Sequence, residues 1–186
     1  MGLNTSLKEL EKTISNCKKC PLHKKRLQAV PGIGPSPSII LVIGEAPGAK
    51  EDKLGLPFQG AAGSLLTKLL NGVGLDRNGL FITNLVKCRP PQNRPPTNKE
   101  IKTCAPYLKK QIILVSPKII LLLGAKALKA VSPDSLPISK VHGQSFRKDG
   151  IFYFPLYHPA AAIYNRSLQV VLVDDLIKVK NFLVTL

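Results

Sequence analysis

The feature that most constrains the fold of this chain is a continuous apolar run at residues 39–43, Ile-Ile-Leu-Val-Ile, followed by Gly44. A strand with one face in solvent alternates apolar and polar residues, whereas a strand covered on both faces is apolar throughout. The run is short and rich in β-branched residues, which favours a strand over a helix. It therefore predicts a central strand of a sheet that has other layers on both sides.

Further strand and helix patterns alternate along the 186 residues. Three more apolar segments predict strands at residues 80–86, 118–123 and 151–157. Helical spacing of apolar residues predicts helices at residues 5–16, 62–70, 97–115, 124–131 and 167–183. Strands separated by helices imply crossover connections and parallel pairing. We expect an α/β protein with one domain, residues 1–186, folded as a three-layer α/β/α sandwich around a mostly parallel sheet of about four strands.

Charge is the first indication of function. The chain has 27 Lys and Arg against 11 Asp and Glu, a net charge of +16. Such an excess favours a polyanion such as nucleic acid as the partner, although a merely charged surface remains an alternative. The apolar runs are too short to cross a bilayer, and the first residues lack the apolar core of a signal peptide. We therefore expect a soluble, cytoplasmic protein without a membrane partner.

Four cysteines, Cys17, Cys20, Cys88 and Cys104, form one C-x2-C pair and one widely spaced pair. In an intracellular chain this pattern favours metal or redox chemistry over disulfides. Four thiolates bind either zinc or a [4Fe–4S] cluster. The wide second pair favours the cluster, because a zinc knuckle usually grips its ion with two tight pairs; four unrelated buried thiols remain the plain alternative.

Polar groups follow three of the predicted strands at their carboxyl ends, where open α/β sheets bind ligands. They are the turn at residues 44–48, Gly-Glu-Ala-Pro-Gly, then Asn84 with Lys87, and then His158. The turn can present backbone N–H groups to an oxygen, but it matches neither a dinucleotide motif nor a P-loop. We expect these groups to meet in one crevice, although each alone is equally typical of an ordinary turn, cap or packed histidine.

The chemistry of these side chains suits a planar base. An amide such as Asn84 offers a donor beside an acceptor, which matches the N3–H and O4 edge of uracil and opposes that of cytosine. A neutral imidazole at His158 can donate to a carbonyl oxygen. Phe58, in a loop bounded by glycine and proline, can stack on a ring, unless it merely fills local core.

Taken together, these segments resemble the type-4 uracil-DNA glycosylases. The resemblance covers residues 17–166 and consists of the motifs GEAPG (44–48), GLPFQG (55–60), ITNLVKCRPP (82–91), NRPP (93–96) and HPAA (158–161), in the family's order and with its cysteine spacing. The chain departs from the family at Gln59 and Ala61, where Val and a basic residue are common. It shares Ala46 with the family, where the better-known branch of the superfamily has an aspartate.

The resemblance implies that the chain hydrolyses the N-glycosidic bond of uracil in single- or double-stranded DNA, with a [4Fe–4S] cluster on the four cysteines. It implies a uracil site formed by Gly48, Phe58, Asn84 and His158, together with the backbone of Glu45 and Ala46. Among these, His158, Glu45 and Ala46 are the expected catalytic residues. From the resemblance, the sliding clamp is a further expected partner. We also expect the protein to be a monomer.

Two other functions are compatible with parts of the pattern. A non-catalytic iron–sulfur protein that binds nucleic acid would explain the charge and the cysteines, but it would leave the crevice side chains without a purpose. An electron-transfer protein would more naturally carry a compact run of cysteines. Release of free uracil separates both from a glycosylase.

Overall fold

A computed structural model, which describes residues 6–132 and 134–186, has a central sheet of five strands in the order β2-β1-β3-β5-β4. The strands are β1 (Ile40–Gly44), β2 (Phe81–Asn84), β3 (Ile119–Leu123), β4 (Phe146–Lys148) and β5 (Ile151–Leu156). Neighbours pair in parallel except β4 and β5, which are antiparallel. The mostly parallel sheet is confirmed, and all four expected strands are present. The fifth, β4, was not expected, because its three residues lie at the sheet edge, where Phe146 is half-buried and Arg147 and Lys148 are exposed.

Helices connect the strands and cover the sheet. They are α1 (Leu7–Ser15), α2 (Ala49–Leu54), α3 (Ala61–Gly72), α4 (Asn98–Val115), α5 (Ala125–Val131), α6 (Ile138–Val141), α7 (Pro159–Ala162) and α8 (Arg166–Leu183). The five predicted helices are confirmed with slightly different ends; the predicted first residue, Thr5, lies outside the described residues. The short helices α2, α6 and α7 carry no apolar repeat that would have predicted them.

The core lies on both faces of the sheet, as the apolar run at residues 39–43 predicted. Every residue of β1 and of β3 is buried. On one face the strands pack against α3 and α8, through Val42, Leu121, Leu70 and Leu176. On the other face Leu41, Ile120 and neighbouring side chains pack against α4 and α5. This is the expected three-layer sandwich. No helix within residues 6–132 and 134–186 is long and apolar enough to cross a membrane.

The parallel register places the carboxyl ends of the strands at one edge. Gly44 at the end of β1 is paired with Asn84 at the end of β2. Leu123 at the end of β3 is paired with Leu156 at the end of β5, two residues before His158. The loops that follow these strands therefore begin next to one another, which brings the turn at residues 44–48, Asn84 and His158 to one place. Lys87, expected to join them in the crevice, is instead buried, with its Nζ bonded to Thr83, Gln111 and the Asn84 carbonyl.

The start of α4 is fixed by charge. Thr97 and Glu100 form a reciprocal capping box, with the Thr97 N–H donating to Glu100 Oε2 at 2.7 Å. Arg94 donates to both carboxylate oxygens of Glu100, at 2.9 and 2.7 Å. The Arg94 hydrogen bonds, with help from Thr97 and against the effect of burial, lower the pKa of Glu100 to about 2. This arrangement fixes the loop that leads from β2 into the helix that carries Cys104.

We predict that Glu100 stabilises the fold in a pH-dependent way. Because its pKa is lower in the folded than in the unfolded state, its contribution is full above the unfolded value of about 4.3 and is lost as the pH falls towards 2. Glu100→Gln, which keeps the shape of the cap, should lower the Tm by about 2–4 °C at pH 7. Thermal unfolding between pH 7 and pH 3 should show this difference shrinking; a difference independent of pH would contradict the assignment.

Candidate active site

A cavity of about 330 Å³ lies at the carboxyl edge of the sheet. It is lined by Ala46, Gly48, Glu51, Phe58, Gly60, Ala61, Ala62, Asn84, His158, Ala160 and Ile163. Five of the six residues predicted to bind uracil are among them. The sixth, Glu45, does not line the cavity; its backbone carbonyl accepts from the N–H of Val86 at 3.4 Å. Burial raises the pKa of the Glu45 carboxyl, an effect that nearby Lys126 partly opposes.

Asn84 and Phe58 meet over Gly44. A Cβ added to Gly44 would overlap Asn84 Oδ1 and lie only 2.6 Å from Phe58 Cζ. Asn84 is 2% exposed and Phe58 is 7% exposed, so both are held within the protein wall. The missing side chain at Gly44 is therefore what allows an amide and an aromatic ring to share one side of the cavity.

The loop that carries Phe58 is held from outside the cavity. Phe58 has a φ of 54°, a left-handed conformation that is unusual for an aromatic residue. The Arg77 guanidinium donates to the backbone carbonyls of Pro57 and Phe58, at 3.1 and 3.0 Å. Gly63 packs directly against the Phe58 carbonyl, where a Cβ would not fit. These contacts stabilise a backbone conformation that points the ring at the cavity.

Glu51 links the two loops that form the cavity wall. Its Oε1 accepts from the N–H groups of Gln59 and Gly60, both at 2.7 Å, and its Oε2 accepts from the N–H of Gly48 at 3.1 Å. Sequence reasoning missed both Glu51 and Arg77. The spacing of Gly48 and Glu51, which is that of a helix cap, is the one local signal that could have identified Glu51.

His158 is held as a neutral hydrogen-bond donor. Its Nδ1 accepts from the N–H of Ala160 at 3.1 Å, so the neutral ring carries its proton on Nε2. Burial lowers the pKa of His158, which favours the uncharged form at neutral pH. The ring stacks with that of Phe58, with centroids 5.9 Å apart and planes inclined by 27°. The imidazole therefore lies beside the predicted stacking ring.

The four cysteines line a second, much smaller cavity between α1 and α4, together with Ile14, Lys19, Arg26, Lys87, Thr103 and Tyr107. Cys88 and Cys104 are buried, and Cys17 and Cys20 are half-buried. Arg26 donates to Cys88 Sγ at 2.9 Å. Burial raises the pKa of Cys104 to about 11, and neighbouring Lys87 partly opposes it. In the described part of the chain, no three His, Cys, Asp or Glu side chains are arranged around a point as ligands of one ion.

The chemistry of this donor set suits a group held by four thiolates, although the four sulfurs are not arranged around one point. All four predicted ligands line one space, and their surroundings are largely apolar. Three basic side chains, Lys19, Arg26 and Lys87, lie against it and can offset the negative charge of the thiolates. The prediction that these four residues act together is thus supported by their position.

Comparison with known proteins places the chain in a family. A sequence model of the uracil DNA glycosylase superfamily matches residues 31–179. A type-4 uracil-DNA glycosylase of Sulfurisphaera tokodaii is 44% identical over 97% of this chain and 86% of its own length. Type-4 enzymes of Saccharolobus solfataricus and Thermotoga maritima are 48% and 41% identical, each over 91% of this chain and over 83% and 91% of their own lengths. The chain belongs to the type-4 uracil-DNA glycosylase family. The resemblance drawn from the motifs is confirmed.

The two positions at which the chain departs from the motifs that it resembles both lie at the cavity wall or next to it. Gln59 directs its amide back to its own loop, donating to the Pro57 carbonyl at 3.1 Å. Ala61, at the start of α3, lines the cavity with a methyl group.

We predict that Gly44→Ala disrupts the site while leaving the fold intact. The added methyl would displace both the Asn84 amide and the Phe58 ring, so kcat for base release should fall by about 10²-fold, the scale of a lost or misplaced active-site hydrogen bond. Gly72→Ala is the matched control, because its Cβ would meet nothing within 4 Å. Initial rates and thermal unfolding of both variants check this; an active Gly44→Ala variant would mean that Asn84 and Phe58 need not approach each other.

Proposed function

We propose that this chain hydrolyses the N-glycosidic bond of uracil in DNA, releasing free uracil and leaving an abasic site, and that the 330 Å³ cavity holds the reacting base. The observation that carries the proposal is the meeting of three groups in that cavity: the ring of Phe58, the amide of Asn84 and the neutral imidazole of His158. The names of the related type-4 enzymes point to the same activity.

Base recognition is assigned to Asn84. Its carbonyl oxygen belongs to the end of β2, and its side chain faces the cavity. Within the described residues the amide makes no hydrogen bond to another protein group, so its donor and acceptor are available to a ligand. Uracil presents N3–H and O4, which match an amide acceptor and donor. Cytosine presents an acceptor at N3 and a donor at the exocyclic amine, which would need the amide reversed.

Catalysis is assigned to His158. Cleavage of the glycosidic bond by a dissociative path leaves negative charge on the uracil and positive charge on the sugar. A neutral Nε2–H that donates to uracil O2 stabilises that anion as it forms, in the manner of an oxyanion hole. The turn at residues 44–48 contributes Ala46 to the wall, whereas the Gly48 N–H is already bonded to Glu51. A role for Glu45 would pass through its backbone, since its side chain does not line the cavity.

Access to the cavity requires that the nucleotide leave the base stack, at a cost of a few kcal/mol in a duplex. The net charge of +16 favours binding of the DNA backbone. Residues 160–163, which follow His158, include two that line the cavity, Ala160 and Ile163, and they are suited to fill the vacated place in the stack. Single- and double-stranded DNA are both proposed substrates; binding to the sliding clamp and a monomeric state remain predictions.

The cofactor proposed for the cysteine site is a [4Fe–4S] cluster held by Cys17, Cys20, Cys88 and Cys104. When bound, it would supply structural cross-linking and not redox chemistry in the reaction. Its ligands come from the segment that follows α1, the segment after β2 and the interior of α4. The cysteines would therefore tie the segment after Asn84 to α4 and to the segment after α1.

We predict that Asn84→Asp lowers the rate of uracil release by about 10²-fold or more, because an ionised carboxylate only accepts and would repel uracil O4. Asn71→Asp, the same change at an exposed position of α3, is the matched control. His158→Ala should lower kcat to a similar extent while leaving the affinity for DNA nearly unchanged, because its contact strengthens as O2 gains charge. Single-turnover release of uracil from an oligonucleotide measures both.

If Asn84→Asp and His158→Ala both release uracil at the wild-type rate, while folded and carrying the cluster, this cavity is the wrong site. Tight DNA binding by wild-type protein without any release of uracil would instead favour the non-catalytic nucleic-acid-binding alternative.

We predict that protein purified without air is brown, with broad absorbance near about 400 nm and roughly four irons per chain, as expected of a cluster with cysteine ligands. Replacing Cys104 by Ser should reduce the iron content and the absorbance together. Metal analysis and the visible spectrum test this, and a colourless protein containing one zinc and no iron would contradict it.

A further inference from the structure

Lys87 is a buried lysine whose surroundings connect the two sites described above. It is 1% exposed. Its Nζ donates to Thr83 Oγ1 at 2.6 Å, to the backbone carbonyl of Asn84 at 2.7 Å and to Gln111 Oε1 at 2.6 Å. It also lies against the cysteine cavity. A fully buried lysine is rare unless its charge has a specific use, because burial of an ammonium without partners is costly.

Burial lowers the pKa of Lys87 to about 7, against the opposing effect of Cys104. The three acceptors around Nζ match the three N–H bonds of an ammonium and so favour the protonated form. The Thr83 hydroxyl uses its own proton elsewhere, donating to the Pro31 carbonyl at 2.8 Å, and the Gln111 amide donates to the same carbonyl at 2.7 Å. Lys87, the Thr83 hydroxyl and the Gln111 amide therefore form one network in which each group donates to a protein acceptor. It joins the end of β2, the middle of α4 and the loop at Pro31.

The position of this network matters because of the atom that it contacts. The Asn84 carbonyl is the last peptide group of β2, and its direction sets how the Asn84 side chain leaves the strand. Neighbouring Thr83 points to the opposite face of the sheet, as alternate residues in a strand do, which places the network behind the cavity wall. The ammonium thus holds the backbone of the base-reading residue from the side that uracil does not occupy.

We propose that Lys87 is a positioning residue for base recognition: its ammonium fixes the Asn84 carbonyl and thereby orients the Asn84 amide toward the N3–H and O4 edge of the base. This inference rests on the proposed role of Asn84 and adds to it a residue that does not touch the substrate. A purely structural lysine would affect stability alone. A positioning lysine must also affect the rate of uracil release and the affinity for uracil, which depend on the Asn84 amide. Both effects must disappear when that amide is removed.

The test uses the cluster-loaded protein and Lys87→Met, which keeps the length of the side chain and removes the charge. We expect kcat for uracil release to fall about 10-fold and the affinity for free uracil, measured as product inhibition, to fall about 10-fold. The affinity for DNA that carries an abasic site should change less than about 2-fold, because that ligand has no base for Asn84 to read. Lys148→Met, whose exposed Nζ donates to the Val131 carbonyl, is the matched control and should resemble wild type.

A double-mutant cycle separates positioning from general damage. In an Asn84→Ala background, Lys87→Met should lower kcat by less than about 2-fold further, because the amide through which it acts is gone. A full additional 10-fold loss in that background would overturn the proposal, and so would wild-type kcat and uracil affinity in folded Lys87→Met protein. If the wild-type protein itself releases no uracil, the proposed function is rejected instead.

Thr83→Val keeps the proposal testable if Lys87→Met does not fold. It removes one acceptor of the network and preserves the lysine, so it should produce a smaller loss of uracil affinity, again without effect on abasic-site DNA. Unchanged uracil affinity in folded Thr83→Val protein would then count against the network.

Discussion

The parallel pairing of β1 with β2, which sets Gly44 beside Asn84, is the constraint on which the rest of the site depends. Because Gly44 has no side chain, the Asn84 amide and the Phe58 ring can come together at the end of two adjacent strands. A sheet buried on both faces holds this register firmly, since a slip would move apolar side chains out of their layers. The precision of the cavity thus comes from the core below it.

Around that fixed edge, charged side chains hold the loops through hydrogen bonds to backbone groups. No chemical step is assigned to them. Glu51 bonds three backbone N–H groups across two loops, and Arg77 bonds two backbone carbonyls next to Phe58. Lys87 bonds the Asn84 carbonyl from behind. Charge-assisted hydrogen bonds of this kind are stronger than neutral ones and keep catalytic groups in place before the substrate arrives. The groups assigned to the base, Phe58, Asn84 and His158, are therefore uncharged and are held by charged supports.

Much of this arrangement could be predicted from the sequence. The apolar run at residues 39–43 indicated a doubly covered strand, and the rule that ligands bind at carboxyl ends brought Asn84 and His158 together. The supports could not be predicted, because each depends on contacts between segments far apart in the chain. Glu51 looks like an ordinary surface charge, and β4 and α2 are too short to show a period. Lys87 was expected beside Asn84 in the crevice, but its side chain is buried and lies against the cysteine cavity. Glu45 was predicted to contribute its backbone to the base site; it does not itself line the cavity, and that contribution stays a prediction.

The central claim is that uracil is held between Phe58, Asn84 and His158, and a crystal structure of the cluster-loaded protein with free uracil tests it most directly. The account predicts uracil stacked on the Phe58 ring, with N3–H and O4 bonded to the Asn84 amide and O2 within hydrogen-bond distance of His158 Nε2. Uracil bound elsewhere, or bound in this cavity with Asn84 turned away from the N3–H and O4 edge, would contradict it.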